Sequence, residues 1–394
     1  MKIFRIAPYI STLVTSVMLY TAPVAAKDAN ATKVNYADTN SLVNRRIIDS
    51  LDRYYNIQVS RGFNGSVLVG HKGKVLYKRH FGMADRTTGT PLSDFTSTQL
   101  SSTSKPFTAT AILWLNQNKY LDINLPVNAY LKDFPYPNIT VKMLLHHRSG
   151  LPNYTSTRLP RWASKGPMYN LDLQSYLAAY KPKLLSTPDT RFNYCNTNYA
   201  LLGRIVEEVS GIPFKQFMRE LIFEPLGMKN TFVFDPQDNY SNRSLSVSYR
   251  PNWAIFENNH EDGVYGDKGI YSTVEDMYLW DQSFYNNKIL SGQTLKAAYT
   301  GLPVDSRGIK KYGLGWRMYD FLNGQKVIFH NGWWHGNNSV FYRFIQENTT
   351  IIVLGNKFNK KIYDQGKEVY QILRNVAPQT FLCTFDNSTE TSEE

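Results

Sequence analysis

Apolar residues recur along this chain at two spacings, and the spacing changes with position. Short β-branched and aliphatic runs at 65–70 and 74–78 flank His71-Lys72-Gly73, which predicts a β-hairpin. Upstream, a polar leader over 27–45 overlaps a helix expected at 41–55. Residues 105–115 place Phe107, Ile112, Leu113 and Leu115 along the apolar side of a second helix. Leu201, Leu202, Ile205, Val206 and Val209 repeat at helical spacing in a helix that starts at Asn198 and stops at Ser210-Gly211. The stretch from about 110 to 300 is rich in helix and loop signals, broken by Pro and Asn. Strand runs return at 326–329, 339–344 and 350–354, and a last helix is expected at 363–375. No internal repeat is visible. Strands at both ends with helices between them predict an α+β fold. In it, an antiparallel sheet is built from N- and C-terminal segments, flanked by helices and interrupted by an inserted helical region.

The two ends of the 394-residue chain differ from the rest. Lys2 and Arg5 precede an apolar stretch over 6–24, followed by Val24-Ala25-Ala26. A basic start, an apolar middle and a small-residue end predict a signal peptide over 1–26, removed on export to the periplasm or the outside. Pro8 and several Ser and Thr interrupt the stretch, so it is a poor membrane span, and no later run is long and apolar enough to cross a bilayer. Residues 27–383 then form the working domain, and 384–394 read as a disordered acidic tail.

Charge narrows the choice of partners. The formal net charge is +12, or +10 without Lys2 and Arg5. Such a balance favours anionic surfaces such as cell-wall polymers or lipid headgroups. The basic residues are scattered and no nucleic-acid motif accompanies them, which excludes nucleic acid as an expected partner. Cys195 and Cys383 sit in unrelated contexts and read as two free thiols. Neither they nor the His-His and His330…His335 spacings make a metal site, and there is no P-loop or G-x-S-x-G elbow, so no metal or cofactor is expected.

The sharpest chemical signal is Ser102-Thr103-Ser104-Lys105, the one S-x-x-K in the chain. Residues three apart at a helix start share a face. A lysine amine can thus stand beside a serine hydroxyl, which is too weak a nucleophile without an adjacent base. The free N–H groups at the helix start suit an oxyanion.

The flanks add a resemblance. Gln99-Leu100-Ser101-Ser102-Thr103-Ser104-Lys105-Pro106-Phe107-Thr108-Ala109 resembles the nucleophile region of the penicillin-recognising serine hydrolases, in the branch of class C β-lactamases, D-alanyl-D-alanine carboxypeptidases and related esterases. Leu144-Leu145-His146-His147-Arg148-Ser149-Gly150-Leu151-Pro152, Gly266-Asp267-Lys268-Gly269-Ile270-Tyr271-Ser272-Thr273 and Tyr312-Gly313-Leu314-Gly315-Trp316 are also similar to family segments. The likeness spans roughly 65–354 and implies a β-lactamase/transpeptidase-like fold. Of five Y-x-N matches, the one whose surroundings resemble the family is Tyr194-Cys195-Asn196. The third family motif is matched by His330-Asn331-Gly332.

The resemblance implies roles. Ser102 is the nucleophile, Lys105 its base, and Tyr194 a proton carrier to the leaving group. Asn196, His330, Gly332 and Trp333 bind substrate, with the N–H groups of Ser102 and Trp333 as the oxyanion hole. Gly332 would let a substrate backbone come close. His330 stands where the β-lactamase branch has lysine, and a neutral imidazole attracts a carboxylate less than an ammonium does. Strong β-lactamase activity is therefore not expected. The substrates left open are cell-wall peptides ending in D-alanine, esters, or β-lactams turned over weakly. A slowly deacylating sensor or scaffold is the reading of another class. The Trp333-Trp334 pair either shapes an acyl pocket or packs a strand turn.

Overall fold

In the computed structural model, residues 34–156, 166–306 and 308–385 are described. The expected signal peptide at 1–26 lies outside them, as do residues 386–394 of the expected tail. The main sheet has eight strands: β1 (Gly65–His71), β2 (Lys74–Phe81), β3 (Leu302–Pro303), β4 (Lys310–Tyr312), β5 (Arg317–Asp320), β6 (Lys326–Trp334), β7 (Asn337–Phe344) and β8 (Thr349–Gly355). Their order is β2-β1-β8-β7-β6-β5-β4-β3 and every pairing is antiparallel. The N-terminal hairpin thus zips onto the C-terminal strand, Gly65 opposite Gly355 and His71 opposite Thr349. This is the mixed helix and antiparallel-sheet architecture expected.

Both sheet faces are covered, which is why these strands read as apolar on both sides. Along β7 the side chains alternate. Val340, Tyr342 and Phe344 join a core with Ile47, Leu51 and Tyr55 of helix α1 (Leu42–Ser60) and with Val369, Tyr370 and Leu373 of the C-terminal helix Gln365–Val376. Phe341 faces the other way, into the larger core with Phe107, Trp280 and Trp316. Its neighbour two residues on, Arg343, is fully buried on that same face and is paired with Asp281.

The chain between Pro91 and Leu302 carries most of the helices. It also holds a three-stranded sheet, Thr98–Gln99, Ile270–Ser272 and Phe232–Val233, that the sequence did not suggest. That small sheet delivers the chain to helix α2 (Ser104–Gln117): Leu100 N–H donates to Ile270 O at 2.8 Å just before a single turn of 3-10 helix at Ser101–Thr103. Pro106 sits in the first turn of α2, where its missing N–H costs nothing. Helix α3 (Asn196–Ser210) ends on Gly211, whose φ of +72° closes it with a left-handed cap.

Several boundaries differ from expectation, the first helix for one running on to Ser60. Helix α3 begins at Asn196 rather than Asn198, so the asparagine of Tyr-x-Asn is inside the helix. Strand β6 continues past Phe329 to Trp334, because it pairs with β7 as far as Trp334 opposite Asn337. At the C-terminus, Phe385 packs against Tyr319, Phe321 and Tyr370, so the start of the expected tail is tied to the core. Cys195 and Cys383 are both buried and unbonded. No helix among the described residues is long and apolar enough to cross a membrane.

Candidate active site

Ser102 is the half-exposed member of an otherwise buried run from Ser101 to Leu113. The residue before it, Ser101, holds a φ of +52°, a costly geometry for a side-chain-bearing residue. Lys105 lies one turn on and is fully buried. Its Nζ is 3.0 Å from Ser102 Oγ and donates to the backbone carbonyl of Asp267 at 2.8 Å. Two tyrosine rings flank it, Tyr194 at 4.9 Å and Tyr199 at 5.8 Å from Nζ to the ring centroids. The spacing S-x-x-K therefore does what the helix geometry allows, and a carbonyl from 162 residues away aims the amine.

Tyr194 and Asn196 stand at the start of α3, with the Tyr194 ring beside Lys105. Asn196 Nδ2 donates to Thr155 Oγ1 at 3.3 Å, while its Oδ1 is buried without a partner and can accept from a substrate amide. Tyr194 packs against the ring of His147 at 4.4 Å. Sequence reasoning placed His147 only inside a family-like loop and gave it no role. It is buried at a φ of +56°, and its Nδ1 accepts from Cys195 N–H at 3.1 Å. Burial, with Lys105, His330 and Arg317 nearby, pushes it well below the usual histidine range. It is a neutral buttress that sets the tyrosine and the helix start.

The strand side comes from β6. His330 is fully buried. Its Nδ1 donates to Asn331 O at 2.8 Å, which leaves Nε2 to accept from Tyr312 OH at 3.2 Å. Burial, then Arg317 and Lys105, hold it well below the usual histidine range, so it is neutral and both nitrogens are engaged. Gly332 faces the nucleophile: a Cβ there would lie 2.3 Å from Leu100 O, 2.4 Å from Ser339 Oγ and 3.0 Å from Ser102 N. The next side chain, Trp333, alternates to the other face. It is 60% exposed and lines a hollow of about 450 Å³ with Phe256 and Phe358. Trp334 turns back, with its Nε1 donating to Asp262 at 2.6 Å. The tryptophan pair therefore divides, one ring to the hollow and the other, half-buried, packed over Lys268.

Sequence reasoning did not find the cation of this site. Arg317 on β5 sits opposite Phe329, one residue from His330. Its guanidinium carbon lies 5.1 Å from the Tyr194 ring centroid, and the residue is half-buried. A lone arginine at the start of a four-residue strand carries no motif, so only the strand register reveals it. Among the described residues, no group of three or more His, Cys, Asp or Glu is placed to hold a metal ion.

A partly exposed serine, a buried lysine on its hydroxyl, a tyrosine ring beside that lysine and a strand pressed on the serine N–H have the layout of a serine acyl-transfer site on an antiparallel sheet. The chain belongs to the beta-lactamase family, whose model matches residues 56–373. It is similar to "Penicillin-binding protein 4*" of Bacillus subtilis (strain 168), with 30% identity over 317 residues, covering 77% of this chain and 70% of that protein. It is also similar to the "Putative D-alanyl-D-alanine carboxypeptidase" of Escherichia coli O157:H7, with 26% identity over 375 residues, 81% of this chain and 84% of that one. Its fold matches a penicillin binding protein from Bacillus halodurans with a TM-score of 0.70 at 23% identity, covering 82% of this chain and 98% of that one.

Proposed function

We propose that this chain is an exported serine hydrolase that acts through an acyl-enzyme on Ser102, with peptides ending in D-alanine as its substrate class. The observation that carries the reading is the 3.0 Å contact between Lys105 Nζ and Ser102 Oγ inside a buried, tyrosine-lined pocket. In the reaction, unprotonated Lys105 takes the Ser102 proton, directly or through Tyr194. Ser102 Oγ bonds to the scissile carbonyl, and the N–H groups of Ser102 and Trp333 hold the oxyanion. Tyr194 returns the proton to the leaving amine, and water then releases the acyl group. Asn196, by its free Oδ1, fixes a substrate amide.

Arg317 favours a substrate with a free carboxylate over a neutral ester. It supplies, beside Tyr194, the positive charge that neutral His330 does not. The similarity to the "Putative D-alanyl-D-alanine carboxypeptidase" of Escherichia coli O157:H7 agrees with that choice. The basic and then apolar N-terminus supports export to the periplasm or outside. Association with anionic cell-wall polymers is supported by the net charge.

Intact-protein mass spectrometry with a serine-directed fluorophosphonate tests the nucleophile: one adduct on the unmutated protein and none on Ser102→Ala is expected. Equal labelling of both would place the reactive residue elsewhere. Turnover of a D-Ala-D-Ala peptide, a short-chain aryl ester and a chromogenic cephalosporin then ranks the substrates. Arg317→Ala is expected to raise KM for the peptide by about 10- to 100-fold, the worth of one charge-assisted hydrogen bond, and to leave the ester unchanged. An equal loss on both would remove the carboxylate assignment, and an adduct that never turns over would favour a sensor.

A further inference from the structure

Lys268 is a second lysine sunk beside this site, and no step above uses it. It is 3% exposed. Its ammonium donates to the Tyr154 hydroxyl, lies 3.6 Å from Asp267 Oδ2 and sits 4.6 Å from the Trp334 ring centroid. Tyr154 OH in turn donates to Asp267 Oδ2 at 2.8 Å. Asp267 is thus shared. Its carbonyl accepts from Lys105, and its carboxylate accepts from Tyr154 with the Lys268 ammonium 3.6 Å away.

The local backbone makes this sharing possible. Asp267-Lys268 stands between Gly266 and Gly269, whose φ values are +92° and +91°. Both flanks adopt a conformation that favours glycine. The loop is pinned to α2 by Thr108 Oγ1, which donates to Gly266 O at 2.7 Å, and by Ile270 N–H, which donates to Ser104 Oγ at 3.2 Å.

Charge then decides what the loop does. A buried carboxylate with no counter-cation would stabilise the ammonium form of Lys105, the form that cannot take a proton from Ser102. The groups facing Lys268 are Tyr154, Asp267, Lys105 of α2, and Glu261 and Asp262 of the turn His260–Gly263. Asp262 already accepts from His335 and Trp334. Burial pushes the Lys268 ammonium down from the usual lysine range, against the pull of Asp267, Asp262 and Glu261.

We infer that Lys268, with Tyr154, is a positioning residue for Lys105: it neutralises the Asp267 carboxylate, so that Asp267 aims the Lys105 amine by its carbonyl without trapping it as ammonium. The inference rests on the Ser102–Lys105 reading.

The test is the pH dependence of kcat/KM on an aryl ester for Lys268→Met, Lys268→Arg, Asp267→Asn and the Lys268→Met/Asp267→Asn pair. Lys268→Met is expected to move the acid limb to higher pH by about one unit, a roughly tenfold loss below the limb, with full activity regained above it. Lys268→Arg keeps the wild-type limb. Adding Asp267→Asn to Lys268→Met returns the limb to its wild-type position, because the uncompensated charge is gone. A loss in Lys268→Met that is the same at every pH, or one that Asp267→Asn does not reverse, would overturn the inference and leave a packing role. Failure of the unmutated protein to label at Ser102 would be a different result, removing the nucleophile assignment itself.

Discussion

Lys105→Met is expected to lower kcat/KM about 10⁴-fold, the upper range for a lost general base. Methionine matches the aliphatic stem of the fully buried lysine, so the pocket stays filled. What disappears is the amine that stands 3.0 Å from Ser102 Oγ. The neighbouring basic groups do not replace it. His147 and His330 are neutral, but each already uses a nitrogen within the protein, and neither is among the partners of Ser102 Oγ. Stopped-flow acylation by an aryl ester, alongside the rate of fluorophosphonate labelling, measures the effect directly. A variant that folds normally by circular dichroism and keeps its labelling rate within tenfold of wild type would show that Lys105 is not the base.

Gly332→Ala is expected to cost about 10²- to 10³-fold in kcat/KM, the scale of a lost oxyanion donor. Space, not conformation, makes glycine necessary here, since its φ is not among the positive values. A methyl group would come within 2.3 Å of Leu100 O and 3.0 Å of Ser102 N. Both are backbone atoms and cannot rotate aside, so β6 must separate from the nucleophile turn. That separation spoils the placement of the Ser102 and Trp333 N–H groups and the packing of Thr103 Oγ1 on Ser339 Oγ at 2.8 Å. The space a Cβ would take at Gly332 is filled by the chain's own nucleophile turn. Ester kinetics together with a thermal melt give the result, and a Gly332→Ala protein within threefold of wild-type kcat/KM would contradict it.

The end of β6 shows why a strand can outrun its sequence signal. His330 and Asn331 are polar residues that weaken a strand signal, so the run expected from sequence stops at Phe329. The strand continues because β7 pairs with it residue by residue, with His330 opposite Phe341 and Gly332 opposite Ser339. Tertiary pairing overrode local propensity. The small sheet around Ile270–Ser272 was missed for the related reason that two- and three-residue strands leave no periodic trace.

The sequence alone determined the elements with strong periodicity: the N-terminal hairpin, helices α2 and α3, and the three C-terminal strands. It also determined the Ser102–Lys105 pair, because a three-residue spacing at a helix start is a local geometry that backbone hydrogen bonding sets. Tertiary structure decided the rest. Arg317 beside Tyr194, His147 beneath it, the Asp267 carbonyl on Lys105 and the Tyr154 hydroxyl on Lys268 come from segments tens to hundreds of residues apart. No local spacing encodes such meetings. They follow from sheet register and from the packing of one buried face against another, which exist only once the whole chain is folded.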